Sequence, residues 1–290
     1  MMKLFLLVLP LVLAAPEGPK TGPPGTKLVY DLLQNQYGGQ LGAFNTVYWQ
    51  PGHVNEEQQW YVPENAVQDA SGQITIKAER RSDGQVYSAR LESYGLWTTA
   101  SSPATKNRGY VEVKALLPAK VGGSNLKGAW PAIWMLGAGN GAGWPTKGEI
   151  DIVEVANGNP NVIMSAHSTN HHGGGPQHPG KNPIYMASDF TTTPLVCGME
   201  WNIRDNIGQI DLTWWFQWNE NGALKEDHTT LSLFKNGNND YYDFFNSFNG
   251  EGFSLLINLA EGGVFPGGPE CLVDGQPQYV VVQEAKVYGF

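Results

Sequence analysis

The stretch GEIDIVEV, residues 148–155, sets Glu149, Asp151 and Glu154 among Ile150, Ile152, Val153 and Val155. The β-branched residues ask for a strand packed in a sheet. Carboxylates on such a strand are costly unless they are solvated, paired or used. On a regular strand Glu149 and Asp151 share a face and Glu154 points the other way. A β-bulge between Asp151 and Glu154 would absorb one residue, read here as Val153, and return all three acids to one face. Two carboxyls about 5–5.5 Å apart suit glycoside hydrolysis with retention: one, ionised, attacks the anomeric carbon while the other, protonated, releases the leaving oxygen. Like charges so close push one pKa upward and keep that acid protonated. The competing reading is an acidic strand that is merely solvated, and the spacing alone supports both equally.

The neighbours tilt that balance. GAWPAIWML, residues 128–136, carries Trp130 and Trp134 four apart, and Trp144 stands just before the acids. Indole rings stack on the apolar faces of sugars, although two tryptophans are equally ordinary in a core. The flanking prolines and glycines suggest a loop feeding a strand. In TWWFQW, residues 213–218, Trp214, Phe216 and Trp218 share one side, read as core, and Trp215 lies on the other. His171, His172 and His178 fall in a glycine-rich loop with no acid or cysteine beside them, so no metal site is expected there. FKNGNNDYYDFFNSFNG, residues 234–250, reads as a long surface loop. A Ser-His-Asp hydrolase is disfavoured because the Gly-x-Ser-x-Gly elbow is missing.

These residues need a scaffold of strands. QITIKAER (73–80), VYSARLESYG (86–95), YVEVKALLP (110–118), VIMSAHST (162–169), LTWWFQW (212–218), FSLLINLA (253–260) and YVVVQEAKVY (279–288) are strand-length and β-rich, with turn residues at their borders. No long amphipathic helix, repeat or second composition regime appears. The expectation is all-β, a sandwich of two antiparallel sheets formed by residues 27–290 as a single domain.

Composition narrows the partners. The net charge is -9 with only 16% of residues charged, which argues against nucleic acid. Residues 1–15, with Lys3, an apolar run and Ala14–Ala15, read as a signal peptide, and residues 16–26 as a Pro/Gly-rich linker. The chain is therefore expected to be secreted, with no membrane span and a monomer as the default. In an oxidising compartment Cys197 and Cys271 are expected to form a disulfide, with two free buried thiols as the alternative.

Together YSARL (87–91), GYVEVKALLPA (109–119), GAWPAIWMLG (128–137), WPTKGEIDIVEV (144–155) and LLINLAEGG (255–263) closely resemble the laminarinase-like branch of glycoside hydrolase family 16. The resemblance spans about residues 55–290 and implies a β-jelly roll with a glycan cleft across a concave sheet. It also implies retaining cleavage of internal β-1,3 bonds, with mixed β-1,3-1,4 glucan as a second candidate substrate. It assigns Glu149 as nucleophile, Asp151 as its helper and Glu154 as general acid/base. Trp130 and Trp134 match sugar-binding tryptophans, Asn65 and Arg90 match polar positions at the cleft, and His167 matches a histidine on the following strand. The longer Glu-x-Asp-x-x-Glu spacing resembles the laminarinase-like side rather than the xyloglucan enzymes. No cofactor is implied, and Gln283 stands where many members carry an aspartate of a calcium site, which weakens the case for calcium. The same fold also hosts transglycosylases and non-catalytic glucan-recognition proteins; retention of all three acids argues against the latter.

Overall fold

The computed structural model describes residues 22–34, 38–137, 143–171, 178–237, 239–272 and 275–290. The expected signal peptide at 1–15, most of the expected linker at 16–26 and His172 lie outside the described residues. Among those described, no helix is long and apolar enough to cross a membrane.

Two sheets face one another. The seven-stranded sheet runs, in order, Ile184–Tyr185, Asn161–His167, Glu149–Glu154, Ala129–Gly137, Phe253–Glu261, Arg90–Glu92 and Asn45–Thr46. The path of the ten-stranded sheet is Ala223–Phe234, Gln209–Glu220, Leu195–Arg204, Arg108–Leu116, Gln278–Gly289, Ile74–Arg80, Val86–Ser88 and Gln59–Tyr61. Lys27–Asp31 and Ala66–Gln68 pair onto its side. Pairing is antiparallel except that Gln59–Tyr61 and Val86–Ser88 run parallel, a departure from the expected purely antiparallel sandwich.

Alternation along each strand builds the core. Phe253, Leu255, Ile257 and Leu259 face inward from one sheet and Ile74, Ile76, Val111 and Val113 from the other. Trp214, Phe216 and Trp218 join them, as expected for core residues. VYSARLESYG is not one strand: it breaks at Ala89, and its halves lie in different sheets. The loop expected to feed a strand at residues 128–136 is short, for the strand already begins at Ala129 and runs to Gly137 in the sheet interior, the Pro131 carbonyl accepting from the Val155 N–H.

Residues 234–250 also differ from expectation. Asn239–Asn249 is a helix, with Tyr241, Phe244 and Phe248 buried in the core. Their spacing of three and four is one helical face. Asn, Gly and aromatic residues of modest helix propensity obscured it, and burial of the aromatic face outweighs that propensity.

The cysteines correct the disulfide expectation, for both are free and buried. Cys197 sits in the central core, its Sγ 3.6 Å from the Val113 carbonyl, whereas Cys271 packs with Val86 and Leu272 in a separate small cluster. Strand pairing fixes Cys197 in the central core, and Cys271 packs into the other cluster from the connection before Gln278–Gly289.

Glu261 occupies the next inward position after Leu259. It is fully buried, and both carboxylate oxygens lack a hydrogen-bond partner. Burial pushes its pKa well above the ordinary 4.5, with the Arg80 charge opposing. The folded chain therefore keeps a proton that the unfolded chain releases above about 4.5, so this residue's contribution to stability falls as pH rises from there towards the raised value. Glu261→Val is expected to remove that pH-dependent loss and to stabilise the protein at neutral pH by about 1–3 kcal/mol. Thermal melts across pH test this; a lower Tm with an unchanged pH slope would sink it.

Candidate active site

The central strand Glu149–Glu154 carries the expected bulge. Asp151 pairs with Ser165 and Glu154 with Ile163 on one side, so three steps on this strand match two on its neighbour. On the other side Asp151 pairs with Trp134 and Val153 with Ile133, which makes Ile152, rather than Val153, the skipped residue. Ile152 and Val153 are both buried in the core. The three acids are thereby returned to the outer face. A bulge leaves backbone groups out of the ladder, and here Trp214 Nε1 from the opposite sheet donates to the Asp151 carbonyl at 2.8 Å.

Each acid has its own surroundings. Trp144 Nε1 donates to Glu149 Oε2 at 3.2 Å, and Trp130 Nε1 donates to Glu154 Oε1 at 3.0 Å. Asp151 accepts from Ser165 Oγ, and His167 Nε2 lies 3.2 Å from Asp151 Oδ2 and 3.8 Å from Glu149 Oε1. His167 is therefore beside the acids, as expected. Burial, followed by the charges of Asp151 and Glu154, pushes Glu149 well above the ordinary range. Burial and Asp151 push Glu154 up to about 8. The two titrate together, so the proton belongs to the group. Arg90 and the Trp144 N–H favour charge on Glu149, where Asp151 and Glu154 oppose it, and the Trp130 N–H favours charge on Glu154, where Asp151 opposes it.

The expected binding residues divide. Arg90 is buried, ion-paired with Glu92 at 2.7 Å, and sandwiched between Trp49 and Trp134 at 4.2 and 4.7 Å from the ring centroids. Trp134 Nε1 donates to Asn258 Oδ1, and Asn258 Nδ2 donates to Tyr61 Oη, which in turn donates to Glu57. Asn65 corrects the expectation of a cleft residue: it donates to the Lys77 carbonyl at 2.7 Å and accepts from Arg81, anchoring the turn after Tyr61. Its short amide is consumed by backbone and guanidinium.

Sequence reasoning missed Ser165, Trp49, Asn258 and the Tyr61–Glu57 pair. Asn258, lying between the apolar residues of INLA, was the available signal; the others depend on strand register. The histidine loop separates, with His171 on Asp240 at 2.9 Å and His178 on the Met164 carbonyl at 2.9 Å.

Among the described residues, Glu149, Asp151 and His167 are the group of metal-ligating types whose donor atoms converge, all within 4.8 Å. Next to Gln283 in the chain, Glu284 is ion-paired with Lys286 and Lys114.

Two sheets in a sandwich, with paired glutamates and an aspartate on one exposed face among indole rings, define a β-jelly-roll glycoside hydrolase. Known proteins agree. A family model described as an XgeA-like, catalytic GH16 domain matches residues 120–194. A glucan endo-1,3-beta-glucosidase from Cryptopygus antarcticus is 30% identical over 75% of this chain and 74% of its own length. A beta-glucanase from Rhodothermus marinus is 29% identical over 82% and 76%. Among solved structures, a laminarinase from a Flavobacterium species superposes with a TM-score of 0.64 at 26% identity, over 90% of this chain and 100% of that one. The chain belongs to glycoside hydrolase family 16, on its laminarinase-like side.

Proposed function

We propose that this protein is an exported, retaining endo-β-1,3-glucanase, with mixed-linkage β-glucan as a secondary substrate. The observation that carries the reading is the bulge that aligns three acids while two indole N–H groups hold the two glutamates separately. Glu149 attacks the anomeric carbon as Glu154 passes its proton to the departing glucosyl oxygen. The same Glu154, now ionised, takes a proton from water, which releases the glycosyl group from Glu149 with net retention. Asp151, held by Ser165 and His167, orients the nucleophile and tunes both glutamates. Trp130 and Trp134 offer ring faces to the sugars flanking the cut. The bond class follows the names of the two relatives, and export follows the leader-like residues 1–15.

The test is product analysis with a β-1,3-glucan, a mixed-linkage glucan, xyloglucan and a galactan, with NMR of the first anomer released. Short β-1,3-oligosaccharides appearing first as the β-anomer are expected. First release of the α-anomer would overturn retention, and products from xyloglucan alone would overturn the bond class.

The acid role sets a pH dependence. Glu154 must be protonated to donate, so hydrolysis is expected to fall as pH rises through about 8. The Trp130 N–H favours the anion, so Trp130→Phe is expected to move that alkaline limb to higher pH. A limb unmoved by the substitution would break the link between this pair and the pH profile.

A further inference from the structure

We propose that Glu57 and Tyr61, both buried, are positioning residues that act through Asn258 to set the angle of the Trp134 ring and so the binding of sugar beside the acids. The proposal rests on the reading above of Trp134 as a sugar contact. Trp134 is the register partner of Asp151 and is half-buried beside it.

Chemistry fixes the direction of every hydrogen bond in the row. An indole N–H can only donate, so Asn258 turns Oδ1 towards Trp134 Nε1, at 2.8 Å. Its Nδ2 is left to donate to Tyr61 Oη at 3.0 Å. The single phenolic proton then goes on to Glu57 Oε2 at 3.0 Å, where Gln59 Nε2 also donates at 2.7 Å. A carboxylate only accepts, so it closes the row at its far end. Turning the Asn258 amide over would set donor against donor at Trp134 and acceptor against acceptor at Tyr61. Arg90, held by Glu92 at 2.7 Å, adds a second restraint, for its guanidinium lies 4.7 Å from the Trp134 ring centroid. A sugar stacking on the indole therefore meets a ring held at its edge and supported on a face.

Glu57 is itself delivered by a strained turn. Asn55 and Glu56, directly before it, have φ of 52° and 57°, a left-handed conformation that is unfavourable for residues with a side chain. The turn is pinned at the end of the strand Phe253–Glu261. The Gln58 N–H donates to the Glu261 carbonyl and the Val264 N–H to the Asn55 carbonyl, each at 2.9 Å. Backbone strain persists where surrounding contacts over-determine it, and it gathers at sites with a task. Here it points a carboxylate inward at Tyr61 instead of out to water.

The experiment uses Tyr61→Phe, which keeps the ring and removes the phenolic link, and Glu57→Gln, which keeps the shape and removes the charge. The indole N–H resonance of Trp134, identified by its loss in Trp134→Phe, is expected to move in both variants with no glucan present. Binding of a β-1,3-linked oligosaccharide is then measured in the Glu149→Gln background. Tyr61→Phe is expected to weaken it about fivefold. Where Trp134→Phe has already removed the N–H, the same substitution is expected to change binding by less than about twofold. An unmoved Trp134 resonance would overturn the proposal, and so would an equal loss in both backgrounds, the mark of a merely structural role. If Tyr61→Phe melts early, Glu57→Gln decides by the same two readings, with an expected loss of about threefold. A parent protein that neither binds nor cleaves β-1,3-glucan overturns the glucanase reading, and the positioning role with it.

Discussion

Glu149→Gln is expected to leave a folded protein that binds β-glucan and hydrolyses it at least about 10⁴-fold more slowly. The amide has the shape of the carboxyl and still offers an oxygen to Trp144 Nε1, so the cleft keeps its geometry. What it lacks is the charge and the lone pair that attack the anomeric carbon. Removing one of three neighbouring acids also relieves repulsion with Asp151 and Glu154, so the melting temperature is expected to hold or rise. Reducing-end release measures the rate, and a pull-down on insoluble glucan measures binding. Residual hydrolysis near a hundredth of the parent's would place the nucleophile elsewhere. Glu149→Ala with added azide sharpens the assignment. A small anion entering the vacated space attacks from the same side as the lost carboxylate, so an α-glycosyl azide is the expected product.

Glu154→Ala separates the two halves of the reaction. On β-glucan, whose leaving oxygen needs a proton, activity is expected to fall about 10²–10⁴-fold. On an aryl β-glycoside with a good leaving group the first step needs no acid, and the glycosyl-enzyme accumulates. Azide then replaces the water that Glu154 would have activated, and the product expected is a β-glycosyl azide, opposite in configuration to that from Glu149→Ala. The alkaline limb near 8 is expected to vanish with the carboxyl that produces it. An aryl glycoside turned over as poorly as β-glucan, with no azide effect, would remove Glu154 from the acid role.

Both outcomes depend on one local irregularity and on what supports it from behind. The bulge turns Ile152 and Val153 into the core and leaves the Asp151 carbonyl outside the ladder. Trp214, on the far sheet, satisfies that carbonyl. A core residue with no access to sugar therefore takes part in holding the catalytic face. This buried N–H is the direct physical link between the ten-stranded sheet and the chemistry on the other.

Much of this was legible in the order of residues. Alternation marked the long strands, because one face of each must be buried. The Glu-x-Asp-x-x-Glu spacing raised a bulge as one of two readings, because period-two geometry needs one residue absorbed before those acids share a face. Trp214, Phe216 and Trp218 announced a core face by the same rule. Other features were decided only when the strands met. Ser165 and His167 reach Asp151 because two strands pair in one register, and Trp49 reaches Arg90 because the chain edge closes onto the other sheet. The helix Asn239–Asn249 forms because Tyr241, Phe244 and Phe248 find a core to enter. Cys197 and Cys271 remain thiols because packing assigned them to different clusters. Local periodicity is a property of neighbouring residues and survives in the sequence. Register, burial and the meeting of distant side chains arise from the free energy of packing the whole chain, which no short stretch records.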